Sequence, residues 1–261
     1  MNYDELNVAL IQYDIIWEDS NGNRNRLENI LKEIPSETDI VVLPEMFSTG
    51  FSMDVSSYAE PMDGDSILWM KEQSSLINSV IAGSIMISEN GSFYNRFIFV
   101  FPTGNYEFYD KRHLFSMGKE DKMYVFGKER KIFKIKNFRI LPQICYDLRF
   151  PVFSRNKNDY DVLINCANWP VNRIEVWKTL LKARAIENQS YVIGVNRIGK
   201  DGNNICYSGD SMVIDSKGKV MDCGTSGEQM VVYSKLSKLS LDRFRRKFPV
   251  LDSRDDFFIK K

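Results

Sequence analysis

The chain has 261 residues, 43% of them hydrophobic, and its 35 Lys and Arg side chains are balanced by 35 Asp and Glu side chains. This length suits one large domain with a substantial core, and the balanced charge argues against binding to nucleic acid or anionic lipid through a broad electrostatic field. One histidine and four cysteines without a CxxC pair argue against a zinc site, so we expect reduced thiols and no metal.

Targeting signals are also missing from the sequence. No basic segment leads into an apolar segment near residue 1, and no apolar run is long enough to span a bilayer. No linker or repeat divides the chain. We therefore expect a soluble cytoplasmic protein with a single domain over residues 1–261.

The N-terminal part of the chain predicts alternating strands and helices. Residues 6–13 are apolar and β-prone, and Ser20 offers a cap for a helix whose apolar residues recur at helical spacing up to Pro35. Residues 39–43 form a continuous apolar run, which is typical of a strand covered on both faces. A strand, a helix and a buried strand indicate an α/β layered fold.

Glu45 follows this buried strand almost directly. The ends of strands in α/β sheets are where ligands commonly bind, and a carboxylate there can accept and donate protons. The alternative is a helix-capping or solvated glutamate. Residues 48–59, rich in Ser, Gly and Met, could cover a pocket beside it.

The middle of the chain predicts one helix, over residues 65–77, and then a meander of strands. The strands of the meander are predicted at residues 80–87, 93–101 and 106–109. The meander ends at Lys111, again at a strand end. The alternative there is a solvated basic patch, since lysine is mostly exposed. Glu120 follows in a polar loop.

The second half of the chain predicts further strands around a long helix. A hairpin over residues 131–144 leads into Cys145, and residues 174–188 form the clearest helix, with Trp177 and small alanines on one face. The other strands are predicted at residues 162–166, 191–195, 210–214, 220–223 and 229–236. The charged and aromatic tail from Ser240 could pack on a neighbouring subunit.

Cys145 lies where an apolar strand stops at polar residues. That geometry lifts a side chain to the end of a sheet and leaves the following backbone N–H groups free, which suits a nucleophile beside an oxyanion site. The alternative is a buried strand cysteine that serves as a small hydrophobic side chain. Glu45, Lys111 and Cys145 at three strand ends favour a shared site.

Three short sequence motifs resemble those of a known family. They are LPEMF at residues 43–47, DKRHLF at 110–115 and QICYDLRFP at 143–151. Together they resemble the carbon–nitrogen hydrolase (nitrilase) superfamily, and within it the bacterial ω-amidase branch, relatives of the mammalian enzyme that hydrolyses α-ketoglutaramate. The similarity extends to NWP at 168–170, ARAIENQSYVIGVNR at 183–197 and GDSMVID at 209–215.

The resemblance implies a four-layer α-β-β-α sandwich that dimerises into an αββααββα unit. It implies a catalytic triad of Glu45, Lys111 and Cys145, with Glu120 as a second glutamate beside it. Cys145 would attack an amide carbon and form a thioester while Glu45 transfers protons. Lys111 and the backbone N–H of Tyr146 would stabilise the oxyanion. No metal or organic cofactor is implied.

The resemblance also implies a substrate class, namely α-keto acid amides such as α-ketoglutaramate and α-ketosuccinamate. Such a substrate carries a carboxylate at its far end, and arginine binds carboxylates through two hydrogen bonds. We expect Arg173 to bind it, with Arg149 as the second candidate; Arg149 could equally pair with a structural acid. Phe47, Tyr146 and Trp169 are candidate pocket walls, although aromatic side chains also dominate ordinary cores.

Three alternatives stay open. A papain-like arrangement would use Cys145, His113 and Asp147, although Asp147 lies so close to Cys145 in sequence that it is hard to aim at a histidine facing the thiol. The same Glu–Lys–Cys chemistry could act on another small amide, a carbamoyl amine or a nitrile. Finally, the chain could be a non-catalytic binding protein that keeps the fold.

Overall fold

The computed structural model describes residues 3–259. The strands in that range are β1 (Glu5–Gln12), β2 (Ile40–Val42), β3 (Val80–Glu89), β4 (Ser92–Val100), β5 (Tyr106–Asp110), β6 (Phe133–Ile135), β7 (Phe138–Ile144), β8 (Val162–Ala167), β9 (Tyr191–Asn196), β10 (Ile198–Lys200), β11 (Cys206–Ser208), β12 (Met212–Ile214), β13 (Val220–Cys223) and β14 (Met230–Ser237). The helices are α1 (Ser20–Leu31), α2 (Val55–Tyr58), α3 (Asp65–Ile77), α4 (Glu120–Met123), α5 (Pro151–Ser154), α6 (Ile174–Asn188) and α7 (Lys238–Lys247). Short 3₁₀ helices cover Ser116–Gly118, Cys145–Arg149, Val171–Arg173 and Val250–Ser253.

Two mixed six-stranded sheets form the centre of this part of the chain. Their strand orders are β14-β1-β2-β3-β4-β5 and β13-β12-β9-β8-β7-β6. β1, β2 and β3 are parallel, as are β7, β8 and β9, while the remaining pairs within the two sheets are antiparallel. β2 and β5 therefore point the same way in the first sheet, and β7 and β8 do so in the second. The carboxyl ends of each set lie at one edge of their sheet.

The alternation of side chains along the strands explains the layers. In β1, Val8 and Leu10 pack in the core between the two sheets, whereas Ile11 packs with side chains of α1 and α3. On the far side of the second sheet, Leu163 of β8 packs in a core with Trp177 of α6. The resulting order, helices, sheet, sheet, helix, confirms the expected α-β-β-α sandwich. None of the helices within residues 3–259 has the length and apolar character needed to cross a bilayer.

Most predicted elements fall close to observed ones. The helix predicted at residues 174–188 is observed as α6, whereas the helix predicted up to Pro35 ends at Leu31. The sequence patterns do not predict the hairpin of β10 and β11, because each of these strands has three residues and no clear apolar alternation.

The tail forms helix α7 and packs on its own chain. Leu241 is buried in the core between the sheets. Arg245 donates to Asp161 Oδ1 at 2.8 Å and to the Tyr160 carbonyl at 2.8 Å, and Lys238 donates to Asp161 Oδ1 at 3.1 Å. This helix was not predicted from the sequence, although the segment carries local signals: Ser237 caps it by accepting the Ser240 N–H, and its last turn is basic.

Asp161 anchors α7 through its buried carboxylate, which accepts hydrogen bonds from Arg139, Lys238 and Arg245. Burial by itself raises the pKa of Asp161, but hydrogen bonds from Arg139 and the charge of Lys238 outweigh it and hold the pKa below the ordinary aspartate value. The ionised form therefore stabilises the fold. This stabilisation is fully present above the ordinary aspartate pKa and is lost as the pH falls through the folded-state pKa.

Asp161→Ala is expected to lower the free energy of unfolding by about 3 kcal/mol, because it removes the buried carboxylate that three partly buried cations share. Chemical denaturation at neutral pH measures the loss, which should shrink at acid pH. Asp242→Ala is the matched control, since it removes a more exposed partner of Lys238 and should cost less than about 1 kcal/mol. Equal losses in both variants would contradict the role of Asp161.

Candidate active site

The candidate site lies where strand ends from the two sheets meet. Glu45 follows β2, Lys111 follows β5 and Cys145 follows β7. Cys145 has φ +44°, and Met46, next to Glu45, has φ +46°. Non-glycine residues rarely adopt this left-handed backbone, and they do so mainly at turns and functional sites. The chain therefore turns sharply at two of the three strand ends.

The Lys111 ammonium binds two glutamates. Its Nζ lies 2.7 Å from Glu45 Oε1, and 3.0 and 2.9 Å from Glu120 Oε1 and Oε2. Lys111 is 1% exposed, and both glutamates are fully buried. Glu120 is the first residue of the short helix α4, whereas the sequence predicts a polar loop there. The helix was missed because four residues give no periodic signal in the sequence. The structure thus brings Glu120 to Glu45 and Lys111.

Two asparagines that the sequence reasoning missed complete the polar cluster. Asn95 of β4 donates its Nδ2 to Glu45 Oε1 at 2.8 Å and to Glu120 Oε1 at 3.0 Å. Asn168, which follows β8, donates its backbone N–H to Glu45 Oε2 at 2.9 Å and its Nδ2 to the Glu45 carbonyl at 2.6 Å. Asn95 interrupts a largely aromatic and aliphatic strand, and that interruption is the signal that could have identified it.

Burial and charge together set the ionisation of this cluster. Burial alone lowers the pKa of Lys111, but the carboxylates of Glu120 and Glu45 outweigh it and raise the pKa well above the ordinary lysine value. Lys111 is therefore protonated. Burial raises the pKa of Glu120, Lys111 lowers it, and the nearby Glu45 raises it, with a net upward shift. Electrostatic repulsion between the two carboxylates thus counteracts their attraction to the shared Lys111 ammonium.

The Cys145 thiol lies at the edge of the cluster. Its Sγ is 3.8 Å from the Asn168 carbonyl oxygen, and the residue is partly exposed where it lines a cavity. Burial of the thiol raises the pKa of Cys145 well above its ordinary value, and Glu45 raises it further by its charge and by a hydrogen bond. Lys111 compensates only partly. The resting thiol is therefore neutral, and the Glu45 carboxylate lies near enough to influence its ionisation.

A cavity of about 660 Å³ opens onto these groups, and Glu45, Lys111 and Cys145 are among the residues that line it. Its aromatic walls are Trp17, Phe51, Phe115, Tyr146, Trp169 and Tyr207. A volume of this size suits a small organic molecule.

Tyr146 and Trp169 line the cavity, but Phe47 does not. Phe47 is fully buried in the core between the first sheet and its helices, with its ring centre 5.8 Å from that of Trp69. Its carbonyl accepts a hydrogen bond from the Tyr13 hydroxyl. The prediction of Phe47 as a pocket wall is wrong, because the chain after Glu45 returns to the helix side of the sheet.

Both candidate arginines line the cavity. The Arg149 guanidinium lies 5.2 Å from the centre of the Trp169 ring, and that of Arg173 lies 5.6 Å from the centre of the Phe115 ring. Within residues 3–259 neither arginine forms an ion pair with a carboxylate. The alternative that Arg149 pairs with a structural acid is therefore not observed in that range.

Comparison with known proteins identifies the family. The sequence model of the carbon–nitrogen hydrolase family matches residues 7–246. The chain belongs to this family. It is 42% identical to the protein named Omega-amidase YafV of Escherichia coli K12, over 97% of this chain and 98% of that relative. It is 30% identical to the 2-oxoglutaramate amidase of Bacillus subtilis, over 94% of this chain and 96% of that relative.

A solved structure in the carbon–nitrogen hydrolase superfamily has the same fold. XC1258 from Xanthomonas campestris, described as carrying an arsenic adduct in its active site, superposes with a TM-score of 0.96 at 39% identity. The match covers 98% of this chain and 99% of that structure. Family membership makes the chain an enzyme that hydrolyses carbon–nitrogen bonds.

In this carbon–nitrogen hydrolase, His113 lies apart from the cavity. Its ring stacks on Phe150 with 3.8 Å between ring centres, and its Nδ1 lies 2.7 Å from Asp147 Oδ1. Asp147 is fully buried and also accepts a hydrogen bond from the Tyr109 hydroxyl. His113 and Asp147 pair with each other, but neither lines the cavity with Cys145. This geometry contradicts the papain-like alternative.

The raised pKa of Cys145 predicts a neutral thiol in the free enzyme at neutral pH. Ultraviolet absorbance of the thiolate, measured as the difference between wild type and Cys145→Ala, should appear only above the ordinary cysteine pKa of 9.0. In Glu45→Gln the thiolate absorbance should appear at lower pH, because the substitution removes a negative charge that disfavours ionisation of the Cys145 thiol. A thiolate already present at neutral pH in the wild type would contradict this assignment.

Proposed function

We propose that the protein is an ω-amidase that hydrolyses the terminal amide of α-ketoglutaramate and α-ketosuccinamate to the dicarboxylic keto acid and ammonia. The observation that carries this proposal is the cavity in which Cys145, Glu45 and Lys111 meet, with Arg149 and Arg173 on its wall. The similarity to the omega-amidase of Escherichia coli over nearly the full length of both chains supports the same substrate class.

The first step is attack of Cys145 Sγ on the amide carbon. An amide is a poor electrophile and a neutral thiol is a weak nucleophile, so the proton must leave sulfur as the new bond forms. Glu45, which lines the cavity together with Cys145, takes this proton. The product is a tetrahedral intermediate with a negatively charged oxygen.

Lys111 and the backbone N–H of Tyr146 stabilise that oxyanion. Lys111 carries a full positive charge because two carboxylates hold its pKa high. Tyr146 is the second residue of the 3₁₀ helix that begins at Cys145, and the first N–H groups of a helix lack partners within it. Losing one such donor typically costs about 3 kcal/mol of transition-state stabilisation.

The intermediate then breaks down in two stages. Glu45 returns its proton to the departing ammonia, which leaves a thioester on Cys145. Water, deprotonated by the same Glu45, attacks the thioester and releases the acid and the thiol. Glu120 accepts two hydrogen bonds from Lys111 and so holds the ammonium in place throughout. No step needs a metal or an organic cofactor.

The distal carboxylate of the substrate binds Arg173 in this proposal. Its guanidinium has no carboxylate partner within the described residues and offers the paired N–H groups that bind a carboxylate with two hydrogen bonds. Arg149 is the second candidate, and Tyr146 and Trp169 form the walls beside it. We also propose that the protein is a cytoplasmic homodimer, as the sequence and its family resemblance suggest.

An assay of ammonia release tests the substrate class. α-Ketoglutaramate and α-ketosuccinamate are compared with an N-carbamoyl amine, an uncharged aliphatic amide and an aliphatic nitrile. We expect the highest kcat/KM for the keto acid amides, and no turnover by Cys145→Ala. Turnover of the nitrile alone would reject the proposal. No turnover at all, with no covalent adduct on Cys145 by intact-mass spectrometry, would favour a binding protein.

The same assay on two further variants tests the assignment of the proton acceptor. Glu45→Gln should lower kcat by at least about 100-fold, the usual scale of a lost general base. His113→Ala should keep substantial activity, because His113 pairs with Asp147 outside the cavity. Thermal melts confirm that both variants fold. The reverse pattern would reject the assignment of Glu45.

Arg173→Met is expected to raise KM for α-ketoglutaramate by about 10- to 100-fold, because it removes charge-assisted hydrogen bonds to the substrate carboxylate. KM for an uncharged amide of similar length should change little. Arg149→Met is the matched control on the same cavity wall. A selective rise of KM in Arg149→Met alone would transfer the carboxylate site to Arg149.

A further inference from the structure

Glu45 and Glu120 are two buried carboxylates that share the ammonium of Lys111. The three groups carry a formal charge of minus one with little solvent to screen it. Like charges at close range favour a proton on one of the two carboxylates. The pKa of Glu120 is raised by burial and by the charge of Glu45, which is the direct sign of this opposition. A proton kept on Glu45 would remove the proposed proton acceptor.

Asn95 supplies an interaction that opposes protonation. One amide nitrogen, Nδ2, donates to Glu45 Oε1 at 2.8 Å and to Glu120 Oε1 at 3.0 Å. An amide has two N–H groups, so each carboxylate receives one. Because both neighbours are carboxylate oxygens, the nitrogen and not the oxygen of the amide must face them. This hydrogen bond lowers the pKa of Glu120.

The backbone of Asn95 is also part of the cluster. Asn95 lies in β4, where it pairs with Met86 of β3, and its carbonyl accepts the backbone N–H of Lys111 at 2.9 Å. One residue therefore positions both carboxylates through its side chain and the lysine through its main chain.

The two ends of the Asn95 amide differ in their contacts. Its Oδ1 is buried and has no hydrogen-bond partner among residues 3–259. Asn156, an equally buried asparagine, uses both ends of its amide: Nδ2 donates to the Tyr160 and Asn188 carbonyls, and Oδ1 accepts the Asp159 N–H. An unpaired buried acceptor is unfavourable, and Asn165 and Asn168 near Cys145 have one as well.

These hydrogen bonds make the two oxygens of Glu45 inequivalent. Oε1 accepts from Lys111 Nζ and Asn95 Nδ2, which occupies both of its lone pairs. Oε2 accepts the Asn168 N–H at 2.9 Å, and its second donor contact, from the Asn168 side chain, is long at 3.5 Å. A lone pair of Oε2 therefore stays available for the Cys145 proton.

We propose that Asn95 is a positioning residue of the amide hydrolysis: it stabilises the charged forms of Glu45 and Glu120 by hydrogen bonds and leaves Glu45 Oε2 as the oxygen that exchanges a proton with Cys145. The inference rests on the proposed function of Glu45 as proton acceptor. Asn95 is not among the residues that line the cavity, so it acts through Glu45, Glu120 and Lys111 and not on the substrate.

Asn95→Leu tests the proposal, because leucine has a similar volume and no donor. We expect kcat to fall by about 10-fold or more while KM changes by less than about 3-fold. The acid limb of the pH profile of kcat/KM should move to higher pH, since the negatively charged carboxylates lose a hydrogen-bond donor. Asn95→Ser, which keeps one O–H donor, should fall between Asn95→Leu and the wild type in both readouts.

Asn156→Ala is the matched control, since it removes a buried asparagine away from the cavity. It should lower Tm and leave kcat and the acid limb unchanged. If Asn95→Leu does not fold, Asn95→Ser decides by the same readouts. A folded variant with wild-type kcat and acid limb overturns the proposal, even when its Tm is lowered.

The outcomes also separate this inference from the proposed function. If the wild type releases no ammonia from the keto acid amides, or if Glu45→Gln is as active as the wild type, the proposed function fails. If the wild type is active and Glu45 is essential while the Asn95 variants behave as the wild type, only the role of Asn95 fails.

Discussion

The buried ammonium of Lys111 is the interaction on which the site depends. A lysine with 1% exposure is tolerated only because two carboxylates compensate for the lost water. The ammonium in turn allows Glu45 and Glu120 to lie close together in a dry environment. Removal of Lys111 leaves two buried carboxylates without their cation, so these side chains behave as one unit.

The two sheets bring this unit to the thiol. Glu45 and Lys111 follow strands of the first sheet, while Cys145 and Asn168 follow strands of the second. The close-packed core between the sheets sets their separation, because a dense interior tolerates little displacement. Hydrogen bonds from Asn168 to Glu45 join the two strand ends directly. The sandwich therefore holds the acid of one sheet against the thiol of the other.

The same geometry links chemistry to substrate orientation. Cys145 and Arg149 stand at the two ends of one 3₁₀ helix, and Arg173 ends another, close to Asn168 in sequence. In the proposed reaction, these two 3₁₀ helices would hold the substrate at both ends. An arginine would bind its carboxylate, and its amide carbon would lie beside the Cys145 thiol. Positioning of this kind lowers the activation barrier, because the reactants lose their translational and rotational entropy when the substrate binds and not in the chemical step.

The sequence by itself determined the layered fold and the strand ends that carry Glu45, Lys111 and Cys145, because apolar runs that stop at polar residues mark the ends of buried strands. Only the tertiary structure decided that Phe47 packs in the core and that Asn95 lies between two carboxylates. A local sequence pattern indicates how deeply one strand or helix is buried and at what spacing its apolar residues recur. The partner of a side chain depends on how elements far apart in sequence pack together, and no local pattern records that.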